Sequence, residues 1–123
     1  MKYLCLAYYD EAKFTALPKA ELDALVSDCQ SRDQDLRNSG QLKLVASLAS
    51  PQTATILRPR HSATTITDGP FAETKEQLGA FFIIEAHDLN DAIRVASKHP
   101  AAQLGEHVGW CIEVRQIEFF DQV

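Results

Sequence analysis

Leu78-Gly79-Ala80-Phe81-Phe82-Ile83-Ile84-Glu85-Ala86 is the stretch that decides the fold. Side chains alternate along a strand, so the unbroken run Phe81 to Ile84 makes both faces of that strand apolar. A strand of this kind has to be covered on two sides. Residues 2 to 9 repeat the pattern, with Tyr3, Cys5 and Ala7 on one face and Leu4, Leu6 and Tyr8 on the other.

Between these two strands, Pro18 suits the start of a helix, where its missing N–H costs nothing. Leu22, Leu25, Val26, Cys29 and Leu36 follow at helical spacing as the inner stripe, while Asp23, Asp28, Arg32, Asp35 and Arg37 populate the outer side. Asn38-Ser39-Gly40 stops the helix, because Gly accepts the left-handed cap conformation. A strand is expected over 41 to 49, broken at Ser50-Pro51-Gln52. The β-branched segments 53 to 57 and 63 to 67 flank Arg58-Pro59-Arg60-His61 and read as a hairpin with a polar tip. Asp68-Gly69-Pro70 is turn chemistry, and the stretch to Gln77 is mostly polar. Beyond residue 86, Asp88 or Asn90 can cap a short helix with Leu89, Ala92, Ile93 and Ala96 inward, ended by Pro100. A glycine-containing loop then leads to a last strand over 110 to 119.

The order is β-α-β-(β-hairpin)-β-α-β, one domain over residues 1–123. Two helices on one face of a mainly antiparallel sheet give an α+β, ferredoxin-like layer. They cover one side only, so a second copy of the chain is expected on the other, as a homodimer. Burying even ~500 Å² of apolar sheet is a gross gain of order 12 kcal/mol, before association costs.

Composition narrows the function classes. At 46% hydrophobic and 24% charged the chain is neither disordered nor low in complexity. Net charge is −5 and the bases are dispersed, with Arg58 and Arg60 the densest pair, which disfavours nucleic acid and anionic membranes as partners. Three scattered cysteines without a CxxC pair fit a reduced, cytoplasmic protein. The first ten residues carry too short an apolar run for a secretory leader, and nothing approaches the ~20 residues that span a bilayer.

Asp68-Gly69-Pro70-Phe71-Ala72-Glu73-Thr74-Lys75-Glu76, followed by Gly79 to Glu85, resembles the signature of the DGPF branch of the YCII-related family. Ile112-Glu113-Val114-Arg115 is similar to the end of that family's last strand, and the first strand and helix match in placement. The resemblance implies a dimeric α/β-barrel, a bacterial origin and a genomic association with ECF-type sigma factors. Relatives proposed as enzymes carry a His and Asp pair in a cleft. Here Leu17-Pro18-Lys19-Ala20-Glu21 stands where those relatives have a His near the first helix, and His99 stands where they have an acid. That dyad therefore does not carry over residue by residue.

Five residues are candidates for chemistry. Asp68 is either a carboxylate of raised pKa acting as a general base, or the acceptor that holds its turn. Phe71 reads as rim packing, or as the aromatic contact of a bound ligand. Glu113 and Arg115 lie two apart and share a face; the Arg can grip an anion in two-pronged fashion with Glu113 orienting it, or the two form a structural ion pair near a dimer seam. His99 is a proton shuttle, or a cation at the negative end of its helix. His61, His87 and His107 read as solvated. His99 and His107 are eight apart without a Cys or acid at ligand spacing, so no metal is expected. No GxSxG, P-loop, GxGxxG or HExxH occurs, so no cofactor is expected either.

Two functions fit these residues. One is a cofactor-independent enzyme moving a proton on a small anionic metabolite. The other is a non-catalytic module that binds a small ligand or a protein such as a sigma factor.

Overall fold

The computed structural model describes residues 1–123. Strand β1 (Lys2–Asp10) leads into a short helix α1 (Glu11–Thr15) and the long helix α2 (Lys19–Asn38). Strand β2 (Leu42–Ser47), the ribbon β3 (Thr55–Arg60) and β4 (Ala63–Asp68), and strand β5 (Glu76–Glu85) come next. Helix α3 (Leu89–Ala96) and strand β6 (Cys111–Gln116) complete the chain.

Four strands form one sheet in the order β2-β5-β1-β6, every neighbouring pair antiparallel. This is the ferredoxin-like α+β arrangement, with the β3–β4 ribbon inserted as a separate two-stranded sheet. The two strands read as apolar on both faces, β1 and β5, are the central pair. Their helix-side residues Tyr3, Cys5, Phe82 and Ile84 are buried together with Leu36, Ala92, Val95 and Ala96. Their other face carries Leu4 opposite Ile83 and Leu6 opposite Phe81, all only half-buried. Irregular pairing moves Leu44 of β2 and Leu78 of β5 to that open face as well.

Helix α2 begins directly after Pro18, and Gly40 at φ +74° follows its end. Of the expected inner stripe, Leu25 and Leu36 are buried, while Val26 is half exposed and Cys29 partly so. Val26 and Cys29 instead line a gap between helix and sheet. Helix α3 is capped by Asp88, which accepts from Asp91 N at 2.8 Å. Its inner stripe is Ala92, Val95 and Ala96; Leu89 and Ile93 are about half exposed, a correction to the sequence reading. Counting from Ala92 puts Val95 and Ala96 on one face at i+3 and i+4, which turns Leu89 and Ile93 to its margin.

The ribbon runs further than the sequence suggests. Pairing extends through Pro59 to Arg60, and only His61 and Ser62 form the turn, both at positive φ (49° and 65°) as a tight primed turn needs. The last strand is shorter than expected, because Trp110 lies ahead of it. Gly105, at φ +73°, gives the Trp110 ring room that any side chain would occupy.

Candidate functional site

A cavity of about 630 Å³ opens between α2, the ends of β1, β2 and β5, and the segment after α3. Its walls are mainly apolar, as small-molecule sites usually are. Tyr9, Phe14 and Trp110 supply aromatic surface, with Tyr9 and Phe14 edge to face at 5.7 Å. Gly79 makes this wall, since a Cβ there would lie 2.9 Å from the Tyr9 ring. From α2, Val26, Cys29, Gln30, Asp33 and Arg37 line the same space. They recur at three- and four-residue intervals and so share one helix face.

His99 is the polar group set deepest into this apolar wall. Its ring stacks on the buried Phe82 with centroids 4.6 Å apart and planes 6° from parallel. Its Nδ1 accepts from Ala101 N at 3.0 Å, capping the 3-10 turn Pro100–Ala102. Burial lowers the His99 pKa, and the nearby Asp33 charge pulls it partly back up. The neutral ring is favoured, which replaces the reading of His99 as a cation at a helix end. Because Nδ1 is an acceptor, the neutral ring carries its proton on Nε2. Nε2 makes no hydrogen bond within the chain, yet no buried side-chain nitrogen or oxygen lacks a partner. Nε2 is therefore reachable from the cavity that the ring lines.

Asp33 is held by Arg37, whose Nε donates to Oδ2 at 2.8 Å one helical turn away. The cavity thus offers the His99 ring as a donor and the Asp33 carboxylate as an acceptor. Asp33 was not singled out from the sequence. The available signal was a polar residue recurring in step with Val26, Cys29 and Arg37 on a helix whose inner stripe is otherwise apolar.

The other four candidates lie elsewhere. Glu113 and Arg115 project from β6 onto the open face, opposite Leu6 and Leu4 of β1, on the far side of the sheet from His99. Tyr8 Oη donates to Glu113 Oε1 at 3.1 Å, and Arg115 Nε lies 3.9 Å from Glu113 Oε2. Partial burial first, and the Glu113 carboxylate second, raise the Tyr8 pKa. Tyr8 and Glu113, though not Arg115, border a cleft of about 660 Å³ that Thr74, Lys75, Glu76 and Cys111 also line.

Asp68 ends β4 and is exposed. Its carboxylate accepts none of the turn's N–H groups; Gly69 N donates to Ala54 O at 2.7 Å instead, and the Gly69–Pro70 bond is cis. Phe71 is 72% exposed beneath the Arg58 guanidinium, 5.0 Å from the ring centre. The loop after it is stitched by the Gln77 side chain, whose Nε2 donates to Ala72 O at 2.7 Å and Thr74 O at 3.1 Å. Neither Asp68 nor Phe71 borders the His99 cavity. No three His, Cys, Asp or Glu side chains converge in a way that would hold a metal ion. No helix is long and apolar enough to cross a membrane.

An uncharacterized protein of Rhizobium meliloti (strain 1021) is 36% identical over 96 residues, 78% of this chain and 77% of that protein. The YCII-related domain matches residues 1–119, from the start of β1 to just past β6, and the chain belongs to that family.

Proposed function

We propose that the helix–sheet cavity takes up a small, largely apolar metabolite bearing a carbonyl or similar acceptor, and that the chain transfers a proton on it without a cofactor. The observation that carries this reading is the His99 ring, neutral and stacked in an apolar wall with its one free nitrogen bearing hydrogen. Nε2–H donates to the ligand's acceptor oxygen and stabilises negative charge developing there. Asp33 is the acceptor for a proton from the neighbouring carbon. Arg37 orients that carboxylate through the hydrogen bond from its Nε. We place the chain in the DGPF branch of its family on the residues 68–76.

The same pairing favours a second reading. A carboxylate that already has Arg37 as its hydrogen-bond partner suits a site that binds without turnover. The test is native mass spectrometry of the chain equilibrated with a metabolite extract, followed by deuterium exchange into the captured molecule. His99→Phe keeps the stacked ring and lacks the donor, so affinity is expected to fall by up to about tenfold, the worth of one hydrogen bond. Asp33→Asn is expected to bind but not to exchange. Binding by wild type without any exchange leaves a binding module. Unchanged affinity in His99→Phe removes the cavity from either reading. Arg115→Ala and Asp68→Asn, run alongside, test the other reading of the working site, with Arg115 gripping an anion, Glu113 orienting it and Asp68 moving the proton.

We also propose that the working form is a homodimer in which the open sheet faces of two copies meet. The half-buried rows Leu4, Leu6, Leu44, Phe81 and Ile83 support it, because water is their only cover in one chain.

A further inference from the structure

The β3–β4 ribbon is an arm without a support of its own. Apart from pairing with each other, β3 and β4 make at most sparse contact with any other helix or strand. A lone two-stranded hairpin is marginal in water and needs a third surface. One face of the ribbon is partly covered at Ile56 and Thr65. The other carries Leu57 directly opposite Ile66, a cross-strand apolar pair that is 64% and 70% exposed. Such a pair belongs inside an interface.

We infer that this arm closes on a second copy of the same chain, with Leu57 and Ile66 as its anchors. The inference rests on the homodimer proposed above and adds what the arm does in it. Two arguments select a second copy. From Thr55 to Asp68 the arm has two arginines and one acid, so against a net charge of −5 the remainder of the chain carries −6. A basic arm and an acidic body complement each other across copies. In addition, the open face and the arm leave Leu44, Leu48, Leu57 and Ile66 exposed within one stretch of chain running from β2 to β4. A two-fold pair offers each copy's arm one partner body and closes there, whereas an unpaired arm leaves both surfaces wet.

The experiment places a benzophenone-bearing amino acid at Ile66 of the full chain, mixes light and heavy-isotope copies to equilibrium, irradiates, and maps the cross-links by mass. About half of the cross-linked species are expected to join a light to a heavy copy, as random pairing in a two-fold dimer requires. A protein that is dimeric in solution but cross-links only within one copy overturns the arm and leaves the sheet-to-sheet dimer standing. A protein that is monomeric at every concentration overturns both. Leu57→Ser with Ile66→Ser gives a second readout, expected to weaken dimerisation about tenfold or more with an unchanged far-ultraviolet circular dichroism spectrum, since both side chains act as anchors. Unchanged dimerisation in that variant also overturns the arm.

Discussion

Phe81 and Phe82 are neighbours on β5 with opposite fates. Phe82 is fully buried, sandwiched between the helices' apolar side and the His99 ring. Phe81 faces Leu6 and Ala46 on the open side and is only half-buried. The chain spends the same residue type on both faces, yet supplies helices for only one. One face is a finished core and the other an unfinished one. The difference lies in connectivity: α2 and α3 each cross the same face of the sheet, so no helix covers the other.

Truncating the two phenylalanines should separate these faces most sharply. Phe82→Ala is expected to cost about 3–5 kcal/mol in urea unfolding, from lost burial and the cavity left behind. It also removes the surface that positions His99. Phe81→Ala should cost the dilute, dissociated chain about 1–2 kcal/mol, because half of its burial is absent there. Its larger effect should be on self-association, weakened about tenfold or more by sedimentation. Equal losses at high dilution, without any effect on association, would mean that the open face is not an interface.

Much of this contrast was legible in the residues. Alternation along Phe81–Ile84 and Tyr3–Tyr8 identifies both central strands, and only their two-faced character is needed to ask for a second cover. The turn signals at Asn38-Ser39-Gly40 and Pro100 set the helix ends for local reasons that tertiary contacts do not override. The candidate cavity was less legible. It depends on α2 standing off the sheet, so Val26 and Cys29, which look like core by spacing, line a gap. His99 looked like a helix-end cation because its own element says nothing about Phe82, seventeen residues earlier, against which it stacks. The stripe in α3 was misjudged for a related reason. Leu89 and Ile93 outrank alanines in hydropathy, but Ala92 and Ala96 are what let the helix approach the sheet closely.

The His99 environment predicts a smaller effect with a definite sign. Its folded pKa lies below the usual 6.5, so in the window between them the unfolded chain binds the extra proton. The contribution is complete above about pH 6.5 and is lost as pH falls through the folded pKa. Urea midpoints from about pH 7.5 to about pH 5 should therefore drop more for wild type than for His99→Phe. Asp33→Asn should steepen the drop, because the Asp33 charge favours the protonated ring. Parallel curves for wild type and His99→Phe would show a solvated imidazole and remove the donor that the cavity is built around.

The smallest effect is expected on the unfinished face. Arg115 and Glu113 are 3.9 Å apart with side chains 69% and 47% exposed, so water screens them and ordering two long side chains offsets what attraction remains. Arg115→Ala should change the stability of the dissociated chain by less than about 0.5 kcal/mol. Both charges nevertheless sit beside Leu4 and Leu6, the rows proposed to meet a twin. If the faces close, the pair loses its water, and removing Arg115 strands the Glu113 carboxylate with only the Tyr8 hydroxyl for a partner. The variant should then weaken association while leaving the separated chain untouched. A stability loss that is the same at every protein concentration would place the pair outside the seam and limit the interface to the apolar rows.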